Sequence, residues 1–181
     1  MNYKFNVTLT DKDYLDFNIF WMIKSPYGKK QMMKLRLVLL ALFVAGGIAI
    51  LLLGDNSAQT YMSVGSLAVM LVLFQLFMAR FMAWSLKGQL KTMKKSGRLA
   101  YSPRSVMEFY EDYFVESTDE NRNEQKYSGI ERISIISGKI IYIHINNTMA
   151  YLLPVSSFAT AEECRSFIEF MKTKVPTVDI H

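Results

Sequence analysis

Two uncharged apolar runs dominate the chain. Residues 37–53 hold no charged side chain, and twelve of these seventeen are Leu, Ile, Val or Phe. Residues 61–79 are uncharged as well. At about 1.5 Å of rise per residue, helices of this length approach the roughly 30 Å hydrocarbon layer of a bilayer. A chain of 181 residues has too little remaining mass to wrap two such helices on every side, so the pattern fits lipid better than a protein core. It predicts transmembrane helices over residues 34–54 and 61–86. A turn at 55–60 joins them, with Gly54 placed to end the first.

Elsewhere the period changes. Tyr3, Phe5, Val7 and Leu9 alternate with polar residues, the pattern of a half-buried strand. A lone strand is unstable, so this one is expected to join strands beyond the hairpin. Thr10 and Asp13 form a variant capping box for a helix that Pro26 and Gly28 interrupt, which completes an N-terminal segment of residues 1–33. After a basic segment at 87–98, residues 99–181 become strand-rich. Strands are predicted at 106–109, 113–116, 130–136, 139–145 and 148–153. The turns are at Tyr110–Asp112, Ser137–Gly138 and Asn146–Asn147, and residues 117–124 form a polar loop. Thr160 and Glu163 cap a last helix, whose Cys164, Phe167, Ile168 and Met171 make one apolar stripe. The fold class expected is an α+β membrane protein: a two-helix hairpin plus an antiparallel sheet covered by a C-terminal helix. By analogy of plan alone, that domain resembles pleckstrin-homology-like domains.

Charge orients the hairpin. The net charge of +5 is unevenly distributed. Residues 1–36 carry seven basic and three acidic side chains, residues 37–98 six and one, and residues 99–181 eight and twelve. The excess therefore lies beside the apolar runs and does not mark a nucleic-acid surface. Lys24, Lys29, Lys30, Lys34 and Arg36 precede the first run. Lys87, Lys91, Lys94, Lys95 and Arg98 follow the second, and residues 54–60 contain Asp55 but no Lys or Arg. Basic residues near span ends are retained on the cytoplasmic side, so both termini are expected there in a multi-pass cell-membrane protein. Ala41, Ala45, Ala49 and Gly65 are candidate packing residues within the hairpin or a dimer. Gln75, polar within the second run, is expected to bond between helices; a role on a transport path is the alternative.

Chemistry is sparse. Cys164 is the single cysteine, so no intramolecular disulfide or cysteine metal cluster forms. His144 is the only internal histidine and is expected as an exposed or hydrogen-bonded strand residue. Glu111, Asp112, Glu116, Asp119, Glu120 and Glu124 fall at turns and are expected to be solvated. No phosphate loop, dinucleotide fingerprint or nucleophile elbow occurs. No catalytic residue, metal or cofactor is expected. The most suggestive stretch is basic: Lys87, Lys91, Lys94, Lys95 and Arg98 are candidates for contacting anionic lipid headgroups.

The segment 126–172 resembles the YcxB-like family of bacterial membrane proteins. Tyr127 and Ile130, the isoleucine-rich hairpin about Ser137 and Gly138, and Tyr151, Leu152, Leu153 and Pro154 leading to Phe158 carry the resemblance, followed by the capped helix. The aromatic hairpin at 107–114 and the N-terminal layout fit it too, whereas Val155 stands where a basic residue is expected. The resemblance implies a bacterial inner-membrane protein with a cytoplasmic domain, and no catalytic residues to map. The expected function is that of a non-enzymatic, membrane-anchored interaction module. Its partners would be the lipid bilayer and a protein or a second copy of itself, without nucleic acid. The alternatives are lipid sensing or handling and an accessory role in a transport complex.

Overall fold

The computed structural model describes every residue except Asn56, Arg98 and Ser137. The chain divides into two compact units, one of Met1–Asn18 with Leu90–His181 and the other of Ile19–Gln89.

The first unit contains eight strands in two sheets. β1 (Tyr3–Thr8), β2 (Arg104–Phe109), β3 (Tyr113–Ser117) and β4 (Arg122–Lys126) form one sheet in that order. β1 pairs antiparallel with β2, Phe5 opposite Met107 and Lys4 opposite Glu108, so the N-terminal alternation finds its partner about a hundred residues away. Lys4 and Glu108 also meet as an ion pair at 2.8 Å. The second sheet has the order β7-β6-β5-β8, from β5 (Arg132–Ile136), β6 (Ile140–His144), β7 (Ala150–Pro154) and β8 (Val178–Ile180). β5, β6 and β7 form the antiparallel meander expected, and β8, outside that expectation, pairs parallel with β5. Gly138 takes φ +69°, the left-handed geometry its turn requires; Ser137 of that turn lies outside the described residues.

Helix α4 (Ala161–Lys174) lays its stripe over the core. The Thr160 hydroxyl accepts from the Glu163 N–H at 3.1 Å, and the Glu163 carboxylate accepts from the Ala159 N–H at 2.7 Å, so the capping box closes one residue early. Phe167 is fully buried, with ring centroids of Phe109 at 4.7 Å, Phe5 at 5.2 Å, Tyr3 at 5.4 Å and Phe158 at 5.5 Å. Such aromatic clusters add edge-to-face attraction to area burial. Isoleucines of β5 and β6, with Leu153, complete the core.

The second unit is mainly helical. α1 (Asp11–Lys24) opens in the first unit with the Thr10–Asp13 box: Asp13 Oδ2 accepts from the Thr10 N–H at 2.9 Å and hydroxyl at 2.6 Å. Pro26 does separate two helices, but by starting the second. α2 (Pro26–Leu53) has proline in its first turn and Ser25 as cap, its Oγ accepting from the Gly28 N–H at 2.8 Å. α2 thus has 28 residues and α3 (Ala58–Lys95) has 38, both longer than the apolar runs alone predict. Both are long and apolar enough to cross a membrane. The most apolar window of α2 is 0% buried and that of α3 6% buried. Between them Gly54 donates to Ile50 O, and Asp55 accepts from the Ser57 N–H and the Thr60 hydroxyl. Asn56 in the expected turn lies outside the described residues.

Candidate functional site

The small residues expected to pack within the hairpin or a dimer are not buried within the single chain. Ala41, Ala45, Ala49 and Gly65 are exposed, and a Cβ at Gly65 would meet nothing within 4 Å. Close approach instead occurs at Gly46 and Gly47, where added Cβ atoms would lie 3.7 and 3.9 Å from Leu67 Cδ2. Spacing in sequence identifies a small face but not the rotation that turns it inward. Gln75 donates from Nε2 to the Arg36 carbonyl at 3.1 Å, the interhelical bond expected.

The basic helix end is not uniform. Lys87, Lys91 and Lys95 recur every fourth residue of α3 and are exposed. Lys94 lies at the margin of this stripe, on the side of buried Leu90, and pairs with Asp11 at 2.6 Å. The Tyr101 hydroxyl donates to the other oxygen of Asp11 at 2.6 Å, while its ring stacks on Tyr14 at 5.3 Å. Lys94 and Tyr101 hold the Asp11 carboxyl below its usual range. Burial, and then Asp11, push the Tyr101 hydroxyl up to about 12. Lys94 is thereby committed to structure within the first unit, which charge counting along the sequence does not reveal. Arg98 lies outside the described residues.

The acidic side chains also separate. Glu111 pairs with Lys174 and accepts from Asn2 Nδ2 at 3.2 Å, tying the end of α4 to the β2–β3 hairpin. Glu116 points instead into a cleft of about 400 Å³ in the first unit. Leu9, Tyr14, Phe17, Tyr101, Asn123, Met149 and the β7 residues Ala150, Tyr151 and Leu152 contribute to its walls, and among the described residues Glu116 is the one charged lining residue. Burial pushes the Glu116 carboxyl above the ordinary glutamate range, with the Ser105 hydroxyl acting the other way. A carboxyl so placed favours a cation or a hydrogen-bond donor beside it. No sequence motif identifies this cleft, because its walls come from the β1–α1 link, α1, β3, β4 and β7.

His144 is a hydrogen-bonded strand residue, one of the two states expected, and it is buried. Its Nε2 lies 3.1 Å from Ser134 Oγ, and the Phe17 and Tyr142 rings lie 6.2 and 6.3 Å from its own. Cys164 is half-buried against the core, where burial raises its thiol pKa and so withholds the thiolate. Among the described residues, no three His, Cys, Asp or Glu side chains gather as a metal site would require.

Residues 109–171, from the end of β2 into α4, match the family model described as YcxB-like protein. The likeness read from the strand and turn pattern is thus shown over residues 109–171; β1, α1, the apolar hairpin, most of β2 and β8 lie outside the match. No curated protein and no solved structure matches the chain.

Proposed function

We propose that this chain is a membrane-anchored, non-enzymatic protein whose YcxB-like domain binds a protein partner in the cytoplasm. The observation that carries the anchor is the exposure of the apolar windows of α2 and α3. Leu42, Leu52, Leu53, Val69 and Leu76 are each more than 55% exposed, and so much continuous apolar surface is tolerated in lipid but not in water. The basic flanks and the lysine-free turn support a bacterial inner-membrane hairpin with both termini cytoplasmic. Two four-stranded sheets under a C-terminal helix support the pleckstrin-homology-like reading of the domain. The interaction role rests on the walls of its cleft, which mix apolar and polar residues and suit recognition more than chemistry.

The test is extraction followed by capture. The protein should stay in the membrane pellet at alkaline pH; release into the supernatant would overturn the anchor. Cross-linking in native membranes should then capture a partner with the full chain and not with a chain lacking residues 99–181. Capture by both, or by neither, would overturn the interaction role. A second reading, lipid sensing, is favoured by the exposed Lys87–Lys91–Lys95 stripe, and co-purification of anionic lipid without protein would support it.

A further inference from the structure

We infer that the cleft beside Glu116 receives an extended, cationic peptide segment by strand addition to β7. This inference rests on the reading of the domain as a protein-binding module and specifies where and what it binds.

The register of β7 leaves one side of its backbone unpaired among the described residues. β7 is an end strand of its sheet and pairs only with β6. Along that ladder Ile145 donates to Met149 O and Val155 donates to Lys139 O. The intervening partners are Ile143 with Tyr151 and Ile141 with Leu153. In an antiparallel ladder, hydrogen-bonded and non-hydrogen-bonded pairs alternate. Odd-numbered β7 residues therefore bond to β6, while Ala150 and Leu152 turn their N–H and C=O groups to the free side. Residues 150–152 line the cleft, so the edge borders the cavity. Pro154, which has no N–H, marks the end of the usable edge.

Charge distinguishes the β4 and β7 edges. β4, the edge of the other sheet, reads RNEQK and is exposed at four of five positions, a charged edge that discourages pairing. β7 reads AYLLP and carries no charge at all. Among the described residues, the only charged side chain lining the cleft is Glu116, half-buried, its pKa raised by desolvation, and without an ion pair. A lysine or arginine of the incoming strand would meet it. The aromatic and aliphatic walls from Tyr14, Phe17 and Met149 would take the apolar side chains flanking that cation.

The experiment uses the full-length protein in detergent. The probe is a fluorescein-labelled hexapeptide of alternating threonine and valine with one central lysine, followed by fluorescence anisotropy. Saturable binding is expected, weakened at least tenfold when glutamate replaces the lysine, in the Glu116→Gln variant, and when alternate peptide amides are N-methylated. The methylated peptide keeps side chains and charge and leaves the protein untouched, so its behaviour is independent of any folding defect in a variant. Equal binding of the methylated and plain peptides would overturn strand addition. Absence of saturable binding to the wild-type chain, or equal binding of the lysine and glutamate peptides, would overturn the inference as well. If the partner captured by the full chain is still captured by the Glu116→Gln, Ala150→Pro double variant, the interaction role stands and this site is wrong.

Discussion

His144 lies on a strand whose five residues are all buried, and it is neutral there for a physical reason. Burial, and then Arg132, lower its pKa, Asp179 opposes them, and the net value is about 4. The unfolded chain takes up a proton near the ordinary pKa of about 6.5, which the folded chain refuses until about pH 4. Stability is therefore lost as pH falls between these values, by up to about 3 kcal/mol from this one group. Denaturant unfolding at pH 7 and pH 4.5 should show that loss, and His144→Gln should reduce it; an equal drop in the variant would assign the acid sensitivity elsewhere. Gly28 poses a steric question at the same scale. A Cβ there would lie 2.2 Å from the Trp21 carbonyl oxygen and 2.9 Å from Met22 Cα, all backbone atoms. Gly28→Ala improves helix propensity by about 1 kcal/mol, but crowding backbone against backbone costs about 1–3 kcal/mol. The expected net effect is a midpoint of thermal unfolding lowered by a few degrees in detergent; an unchanged or raised midpoint would show that the α1–α2 corner yields.

At the scale of elements, the strands and helices with strong periods are the ones the sequence makes legible. Alternation in residues 3–9, the isoleucine hairpin of β5 and β6, and the Thr160 cap each lie in the expected place because local pattern and tertiary burial agree there. β4 is missed because RNEQK has no apolar alternation to reveal; it exists by pairing its backbone with β3, Glu116 opposite Asn123. β8 is missed for a related reason: three residues carry too little pattern, and its register comes from β5, Ile133 opposite Val178. The small-residue stripe of α2 is exposed in the single chain, because spacing defines a stripe without saying which way it turns. The basic end of α3 shows the same limit. Equal charges in sequence become Lys94, paired with Asp11, and Lys87, Lys91 and Lys95, which are exposed. Each exposed lysine beside an anionic surface gains about 1 kcal/mol. Neutralising those three to Gln should sharply reduce co-purifying anionic lipid, whereas Lys94→Gln should reduce it much less. Equal losses would mean that position along the helix, and not its face, governs the contact.

Across the whole molecule, one asymmetry organises the proposed topology: basic residues flank both apolar runs, and the turn between them has none. The turn's single charge, Asp55, is used locally. Its carboxyl accepts from Ser57 and Thr60, and those bonds hold it below the usual carboxylate range. Asp55 thus organises the entry to α3, and the orientation is left to the lysines. The single cysteine makes this testable with few changes. Cys164 is half-buried and its thiol pKa is raised, so it reacts slowly with maleimides at neutral pH. With Cys164→Ser as background, Gln59→Cys places a thiol in the exposed first turn of α3, and His181→Cys places one at the C-terminus. In intact cells an impermeant maleimide should label the first and not the second, and permeabilisation should expose both. Labelling of the C-terminal thiol in intact cells would invert the hairpin. It would also place the β7 edge outside the cytoplasm, where a cytoplasmic partner of the kind proposed does not reach it.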